Sequence, residues 1–364
     1  MKIGFFLPSG IKGGAEQLIF QLIAEYQTLG HEIVVFFLTN LEADSFIKDL
    51  RKENISVYVC PVKREFIGYL ILPFMCLWQT LFNRRFSLIF SSHVHLNSLV
   101  AVYRKLFFLK TETHLAREST LIFSRFKGRR LKAFRFFYNL GYKFIPNIIC
   151  QTDLMRTELI RNLPWLQNTS RVIVLPNPIN RKDIENKLLE AFDQPSFEYI
   201  VAAGSLTTVK GFDILIEAFS LTSASFPGLK LLILGEGPQR VSLENLIAKY
   251  NLSDRVSLIG WTQNVYPYFK YARTCVVSSR IEGFPNVLLQ AMACSNTVVS
   301  TLCAGGIEAI PGIYTCQTES ASALSEALNV ALANDNFENR NVYDSYLNNN
   351  LIEQYVITLN GIKE

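Results

Sequence analysis

The sequence predicts an α/β protein built from two doubly wound, Rossmann-like domains. Three observations predict it. Short apolar strand patterns alternate with helical periods along the first half, which argues for a parallel sheet covered on both faces. The second half repeats that plan. The chain has 364 residues, long for one domain and ordinary for two.

Taken in order, Lys2–Leu7 reads as a first strand that ends in a Gly/Ser turn. A helix follows from about Ala15 to Leu29, closed by Gly30-His31, and Glu32–Leu38 is a second buried strand. Ser56–Cys60, Ser87–Ser91, Asn147–Cys150 and Val172–Leu175 are further strand candidates. In the back half the strands are Glu198–Ala203, Lys230–Leu234, Arg255–Ile259, Thr274–Val277 and Thr297–Ser300. Helices near Gly211–Ser220, Gln239–Tyr250, Asn286–Ala293 and Ser320–Ala333 separate them. Pro176-Asn177-Pro178 and the charged stretch 181–194 read as the linker. Two such halves would leave a cleft between the carboxyl ends of their strands, where folds of this kind bind ligands.

Composition narrows the class. Apolar residues make up 49% of the chain and charged residues 18%, enough to bury a large core and too little charge for a disordered protein. The seven cysteines are scattered without a Cys-x-x-Cys pair, and with four histidines they complete no familiar zinc spacing, so buried thiols on the cytosolic side are expected. The opening MKIGFFLPSG lacks a basic region followed by a long apolar core and reads as a strand rather than a signal peptide. Charge is uneven. Residues 51–150 hold 17 basic and 4 acidic residues, whereas residues 181–364 are net acidic, so the front half is expected to meet an anionic surface.

Three loops after strands could carry chemistry. Gly204-Ser205-Leu206-Thr207-Thr208-Val209-Lys210-Gly211 offers backbone N–H groups, a helix N-terminus and the charge of Lys210 to an anion, or it is a solvated loop with a capping glycine. Gly235-Glu236-Gly237-Pro238 resembles a dinucleotide fingerprint, but Arg240 stands where its third glycine belongs. In the stretch 278–294, Glu282 lies in a loop, Pro285 and Asn286 begin a helix, and Gln290 follows one turn on. Those two acceptors could grip two parts of one polyhydroxyl ligand; alternatively Gly-Phe-Pro is only a tight turn.

EGFPNVLLQAMAC strongly resembles the signature of the retaining glycosyltransferases called family 4, which have the two-domain GT-B fold. The resemblance extends along most of the chain, through the Gly13-Gly14 loop, Pro176-Asn177-Pro178, the GSL…KGFD loop, Gly-Glu-Gly-Pro and the terminal helix. It implies an N-terminal acceptor domain of residues 1–178, joined by a returning helix at 347–364, and a nucleotide-sugar domain of residues 195–345. It implies donor contacts at Gly204, Ser205, Lys210, Gly235, Gly237, Glu282, Gly283, Phe284, Pro285, Asn286 and Gln290, and an acceptor or diphosphate loop at Gly13 and Gly14. Glu282 matches the family's sugar-holding glutamate and Lys210 its phosphate-binding lysine. Gln290 replaces the ribose-gripping glutamate, so an amide oxygen must accept without charge assistance. Ser205 replaces the family's second diphosphate cation, for which Arg280 or Arg117 could compensate. No Asp-x-Asp occurs, which argues for metal-independent departure aided by Lys210 and the helix dipole, with no cofactor.

His93 and His95 follow an apolar strand, where the family often places a cleft-lining histidine, and His114 follows what reads as the next strand end. His93 or His114 is expected near the sugar–acceptor junction, or else each is a satisfied structural ring; His31 reads as a turn residue and Glu16 as an early helix residue. Phe66–Phe82 is an uncharged run of 17 residues between basic flanks, with Pro73 near its centre. It is expected to be an apolar surface or core helix rather than a membrane span. Arg104–Lys110 and Phe123–Phe144 interleave basic and aromatic residues, as at an anionic lipid interface; no nucleic-acid motif accompanies them. The resemblance therefore implies a retaining hexosyl- or N-acetylhexosaminyltransferase, peripheral on the inner face of the cell membrane. It would move a sugar from a nucleoside diphosphate sugar, UDP on family frequency, to a lipid-linked glycan or lipopolysaccharide or capsule precursor. A nucleotide-sugar epimerase of the same fold and a non-catalytic nucleotide-sugar-binding partner are the rival readings.

Overall fold

The computed structural model describes residues 1–11, 13–41, 50, 55–82, 85–334 and 336–363. The chain forms two compact units, Met1–Pro178 with Ile352–Glu364, and Ile179–Leu351.

The first unit is a seven-stranded parallel sheet. In chain order its strands are β1 (Lys2–Leu7), β2 (Glu32–Phe37), β3 (Ser56–Val59), β4 (Phe86–Ser92), β5 (Thr111–Arg117), β6 (Asn147–Cys150) and β7 (Arg171–Val174). Their order across the sheet is β3-β2-β1-β4-β5-β6-β7, with β1 paired in parallel to both β2 and β4. Because successive side chains point to opposite faces, β1 and β2 feed two cores. Ile3, Phe5, Ile33 and Val35 join the α1 side (α1, Gly14–Thr28), and Phe6, Val34 and Phe36 join the other. That second face carries α2 (Glu65–Phe82), α3 (Val94–Lys105) and, packed on α3, α5 (Gly128–Gly141), which follows the short α4 (Ile122–Arg125). Among the described residues this half also has α6 (Asp153–Asn162) and α7 (Leu166–Thr169).

Helix α2 contains Pro73, whose missing N–H leaves the Tyr69 carbonyl without its helical partner. The Tyr103 hydroxyl of α3 donates to that carbonyl at 2.9 Å and fastens the two helices at the break. The inner face of α2 is Gly68, Leu72, Cys76 and Gln79. A Cβ at position 68 would lie 2.2 Å from the Leu38 carbonyl oxygen, so only glycine allows the helix to pack this close.

The second unit repeats the winding. Helix α8 (Arg181–Leu188) precedes β8 (Tyr199–Ala203), α9 (Phe212–Thr222), β9 (Lys230–Leu234), α10 (Arg240–Lys249), β10 (Val256–Gly260), α11 (Tyr266–Tyr271), β11 (Thr274–Val277), α12 (Asn286–Cys294), β12 (Val298–Thr301), β13 (Tyr314–Cys316), α13 (Ala321–Ala333) and α14 (Asn339–Asn348). The sheet runs β10-β9-β8-β11-β12-β13, all parallel. The stretch 181–194, expected as a linker, instead begins with α8, capped by the Asn180 side chain and buried through Ile184. Helix α15 (Ile352–Gly361) returns to the first unit, where Ile352, Tyr355, Val356 and Leu359 pack with α1. Their i, i+3, i+4, i+7 spacing is the apolar stripe of a helix that needs a partner.

Candidate functional site

In a doubly wound sheet, ligands bind beyond the carboxyl ends of the two strands where the order reverses. In the second unit those strands are β8 and β11. The loop after β8 is Gly204–Gly211 and the loop after β11 is Ser278–Pro285, so two of the three sequence candidates meet at one end of one sheet.

The two loops are stitched together by backbone groups. The Ser278 hydroxyl donates to the Lys210 carbonyl at 2.8 Å, and the Arg280 N–H donates to the Val209 carbonyl at 2.7 Å. Gly211 sits at φ 62°, and a Cβ there would lie 2.1 Å from the Ser278 carbonyl oxygen, so position 211 is glycine on both counts. From this clamp the Lys210 ammonium reaches back past Gly204 and donates to Glu282 Oε1 at 2.6 Å. The Ser279 hydroxyl donates to the same oxygen at 3.0 Å. Both side chains are partly open to solvent, at 23% for Lys210 and 16% for Glu282. A cation for an anion and an acceptor for hydroxyls therefore stand in contact at the head of α12, whose first turn, from Pro285, adds backbone N–H groups and a partial positive charge.

Arg280, weighed as a substitute for a cation at Ser205, is already engaged. Its guanidinium makes a two-pronged pair with Asp213 at 2.7 and 2.8 Å and bonds the Thr208 carbonyl and Glu319. Those hydrogen bonds, chiefly to Asp213, raise its pKa further. Burial alone would raise the Asp213 carboxyl, but Arg280 holds it below its usual value. Ser205 itself is exposed, and Gln290 donates its amide nitrogen to the Tyr266 hydroxyl at 3.4 Å. Gly235 and Gly237 pack the next loop against this one: a Cβ at 235 would lie 1.9 Å from the Gly204 carbonyl oxygen, and one at 237 would lie 2.5 Å from that of Leu206. They shape the wall of the site. The fingerprint they resemble is occupied by Arg240 paired to Glu236 and Glu244. Gly283, Phe284 and Asn286 lie in the turn into α12 and its first residue. A cavity of about 370 Å³, lined in part by Lys270, Arg273, Ser295 and Asn334, opens at the amino ends of β11 and β12, away from this constellation.

The first unit presents a second constellation where its own strand order reverses, between β1 and β4. His93 alone links β4 to α3, and its φ of 78° is a left-handed conformation that a side-chain-bearing residue seldom takes. Its Nε2 lies 3.3 Å from Glu16 Oε1, and its Nδ1 is buried without a hydrogen-bond partner. Gly13 leaves room for the Glu16 carboxylate, since a Cβ there would fall 2.4 Å from Glu16 Oε2; Gly14 opens α1. Glu16 was legible only as a first-turn acid; nothing in the sequence joined it to His93.

The other histidines are structural. His114 lies in the middle of β5, paired with Ile89, not beyond a strand end, and it is fully buried. Its Nε2 lies 2.9 Å from the Ser91 hydroxyl, which donates to Asn97; Asn97 donates to Tyr142. Tyr142 and Tyr138 then donate to Glu118. Burial pushes the Glu118 carboxyl up to about 6 against the pull of those two phenols. His95 packs against Tyr69 and Phe137, and burial, with His93 nearby, pushes it down to about 3. His31 occupies the expected turn beside the N-terminal amine, and burial and that amine lower its pKa. Arg117 is buried and bonded to Asn177 at 2.7 Å. Among the described residues, no group of three or more His, Cys, Asp or Glu is gathered to hold a metal.

Comparison with known proteins separates the chain at nearly the same point. Residues 12–183 match the model described as Glycosyltransferase Family 4, and residues 184–347 match that of Glycosyl transferases group 1. An uncharacterised glycosyltransferase of Methanocaldococcus jannaschii is 31% identical over 46% of this chain and 43% of its own length. The N-acetylgalactosamine-N,N'-diacetylbacillosaminyl-diphospho-undecaprenol 4-alpha-N-acetylgalactosaminyltransferase of Campylobacter jejuni is 29% identical over 82% of this chain and 80% of its own. Among solved structures, Anabaena HepE in complex with UDP-glucose superimposes with a TM-score of 0.77 over 99% of this chain and 97% of that one, at 17% identity. That likeness speaks for the fold.

Proposed function

The chain belongs to the GT-B glycosyltransferases of the family 4 and group 1 superfamily. From that premise we propose that it moves a sugar, with retention, from a UDP-sugar to a lipid-linked glycan or to a lipopolysaccharide or capsule precursor. The observation that carries this reading is the Lys210–Glu282 pair at the head of α12, between the carboxyl ends of β8 and β11. The acceptor class is supported by the diphospho-undecaprenol named in the activity of the Campylobacter relative, and the nucleotide by the UDP-glucose bound to HepE.

In this reading the unit Ile179–Leu351 takes the donor and Met1–Pro178 takes the acceptor. The Lys210 ammonium turns from Glu282 to the diphosphate and holds the negative charge that grows on it as the bond to the sugar breaks. The N–H groups at 283–286 hold the same anion, so no metal is required for departure. Glu282, released from Lys210, accepts hydrogen bonds from hydroxyls of the donor sugar. Gln290, whose nitrogen is already given to Tyr266, offers its oxygen to the ribose. His93, steadied by Glu16, stands with Gly13 and Gly14 on the acceptor side; the acceptor hydroxyl attacks the face that the diphosphate leaves and gives its proton to the departing phosphate oxygen. The protein works peripherally on the cytoplasmic face of the membrane, where a lipid-linked acceptor is presented. His114 is left out, because a fully buried ring cannot touch substrate.

Thermal unfolding with UDP, GDP, ADP and CMP tests the donor half of this reading. UDP at about 100 times its dissociation constant should stabilise the protein by roughly 2.7 kcal/mol, and Lys210→Ala should lose that shift. Stabilisation by none of the four nucleotides in folded protein would overturn it. Binding followed by no UDP release in the presence of undecaprenyl-diphosphate glycans would favour a non-catalytic partner, for which the Ser205 and Gln290 departures speak.

A further inference from the structure

Helix α2 is uncharged from Phe66 to Phe82, yet only its inner face is covered. Phe66, Leu70, Phe74, Trp78 and Phe82 recur every fourth residue and are each 57–70% exposed, with Leu81 exposed beside them. Residues four apart share one helix face, so this is a continuous apolar row about 24 Å long at 1.5 Å per residue. A surface of that size and shape implies something that covers it.

We propose that α2 lies flat in the interface of an anionic bilayer and inserts this row among the acyl chains; the proposal rests on the peripheral-membrane reading above and names the element that makes the contact. By length and composition α2 could cross a membrane, and it is the single helix among the described residues that passes that test. Its inner face excludes a crossing. Gly68 sits against the Leu38 carbonyl, Leu72 and Cys76 join the sheet core, and Gln79 accepts from Lys2 and bonds Tyr58. A helix held along one side by a folded sheet cannot be wrapped by lipid.

Charge chooses the bilayer over a second copy of the chain. Lys63 and Arg64 precede the helix and are exposed. Tyr69 of α2 meets Phe137 of α5 ring to ring, which sets α5 alongside, and there Arg129, Arg130, Lys132 and Arg135 are exposed together with Phe136 and Leu140. A two-fold pairing through this face would bring two strongly basic surfaces together, whereas anionic head groups would neutralise them while the row enters below.

The test uses full-length protein with Trp165→Phe and Trp261→Phe, which leaves Trp78 as its only tryptophan. Vesicles of equal parts phosphatidylglycerol and phosphatidylcholine should pellet it and shift Trp78 emission to the blue, and bromine on the lipid chains should quench that emission. Phosphatidylcholine alone should bind it far less. Leu70→Glu with Phe74→Glu, both on exposed positions, should weaken partition by about tenfold or more. Phe66→Ser with Phe82→Ser, at the ends of the row, serves if the first pair unfolds the protein. Pelleting without quenching would mean that charge alone docks the protein, and would overturn the insertion. Concentration-dependent dimers that shield Trp78, without vesicle binding, would assign the face to a second copy. Resistance to alkaline carbonate would make α2 a span. A retained UDP shift in protein that ignores vesicles would sink this proposal and leave the donor site standing; the reverse result would do the opposite.

Discussion

Both units wind their strands in the same order about the first strand, yet they use their polar groups differently. In the second unit the polar groups at the carboxyl ends of the strands are charged, paired and open to solvent: Lys210 with Glu282, Arg280 with Asp213 and Glu319. In the first unit a buried polar chain runs instead from His114, in the middle of β5, through Ser91, Asn97 and Tyr142 to Glu118. Many of its basic residues are exposed, on α5 and just ahead of the apolar α2. The same scaffold thus carries solvent-open charged pairs in one unit and a buried polar chain in the other, and local sequence decides which.

The sharpest way to break this comparison is Lys210→Ala. If the anion site is where the charged loops meet, transfer should fall by about 10²–10³-fold while the thermal midpoint without ligand changes little. An unchanged rate would remove the second unit's claim to the diphosphate. Arg280→Lys tests the clamp rather than the contact. A lysine cannot reproduce the two-pronged grip on Asp213, so the 207–211 loop should loosen and UDP should bind about tenfold more weakly, with Lys210 still present. UDP affinity equal to wild type would show that the loop needs no such fastening.

The second unit's loops were legible because their glycines and charges are adjacent in sequence: Gly204, Lys210 and Gly211 within eight residues, Glu282 and Pro285 within four. Each has a reason that acts locally, such as the left-handed Gly211. The first unit was harder to read. His114 was misplaced because TETHLAR is mostly polar and hid a strand buried at every position but Glu112, in which His114 meets Ser91 of β4. Helix α8 was missed because its sequence RKDIENKL is nearly all polar, and burial of Ile184 against the rest of its unit decides it. The Glu16–His93 pair joins residues 77 apart, a distance that only the sheet order closes. The row on α2 was visible as an uncharged run, but which face it shows depends on what the sheet covers.

Proton linkage sharpens the contrast between charged and neutral interiors. The His95 ring is held near 3, far below its ordinary value of 6.5. The unfolded chain therefore binds a proton that the folded chain refuses, and His95's contribution, full above pH 6.5, is lost as pH falls below it, by at most about 1.4 kcal/mol per unit. Glu118 has the opposite sign. Raised from 4.5 to about 6, it contributes most below pH 4.5 and loses that contribution as pH rises through 6, on the order of 2 kcal/mol in total. Urea unfolding from pH 4 to 8 should show His95→Phe flattening the acid loss and Glu118→Gln steepening it. Equal slopes in all three proteins would mean that neither group is held as buried as the fold implies.

The smallest effect isolates how helix α2 is fastened. Pro73 deprives the Tyr69 carbonyl of its helical donor, and the Tyr103 hydroxyl takes that place at 2.9 Å. Tyr103→Phe should therefore cost about 1 kcal/mol, the usual worth of one such bond with its acceptor left behind. The reason is specific and can be separated from packing. In a Pro73→Ala background the backbone N–H of residue 73 returns to Tyr69, the carbonyl no longer depends on Tyr103, and the same Tyr103→Phe change should cost clearly less. A double-mutant cycle measured by urea unfolding reads that coupling directly. Zero coupling would mean that the hydroxyl bond only accompanies the contact between α2 and α3, and that the proline break is closed by some other group.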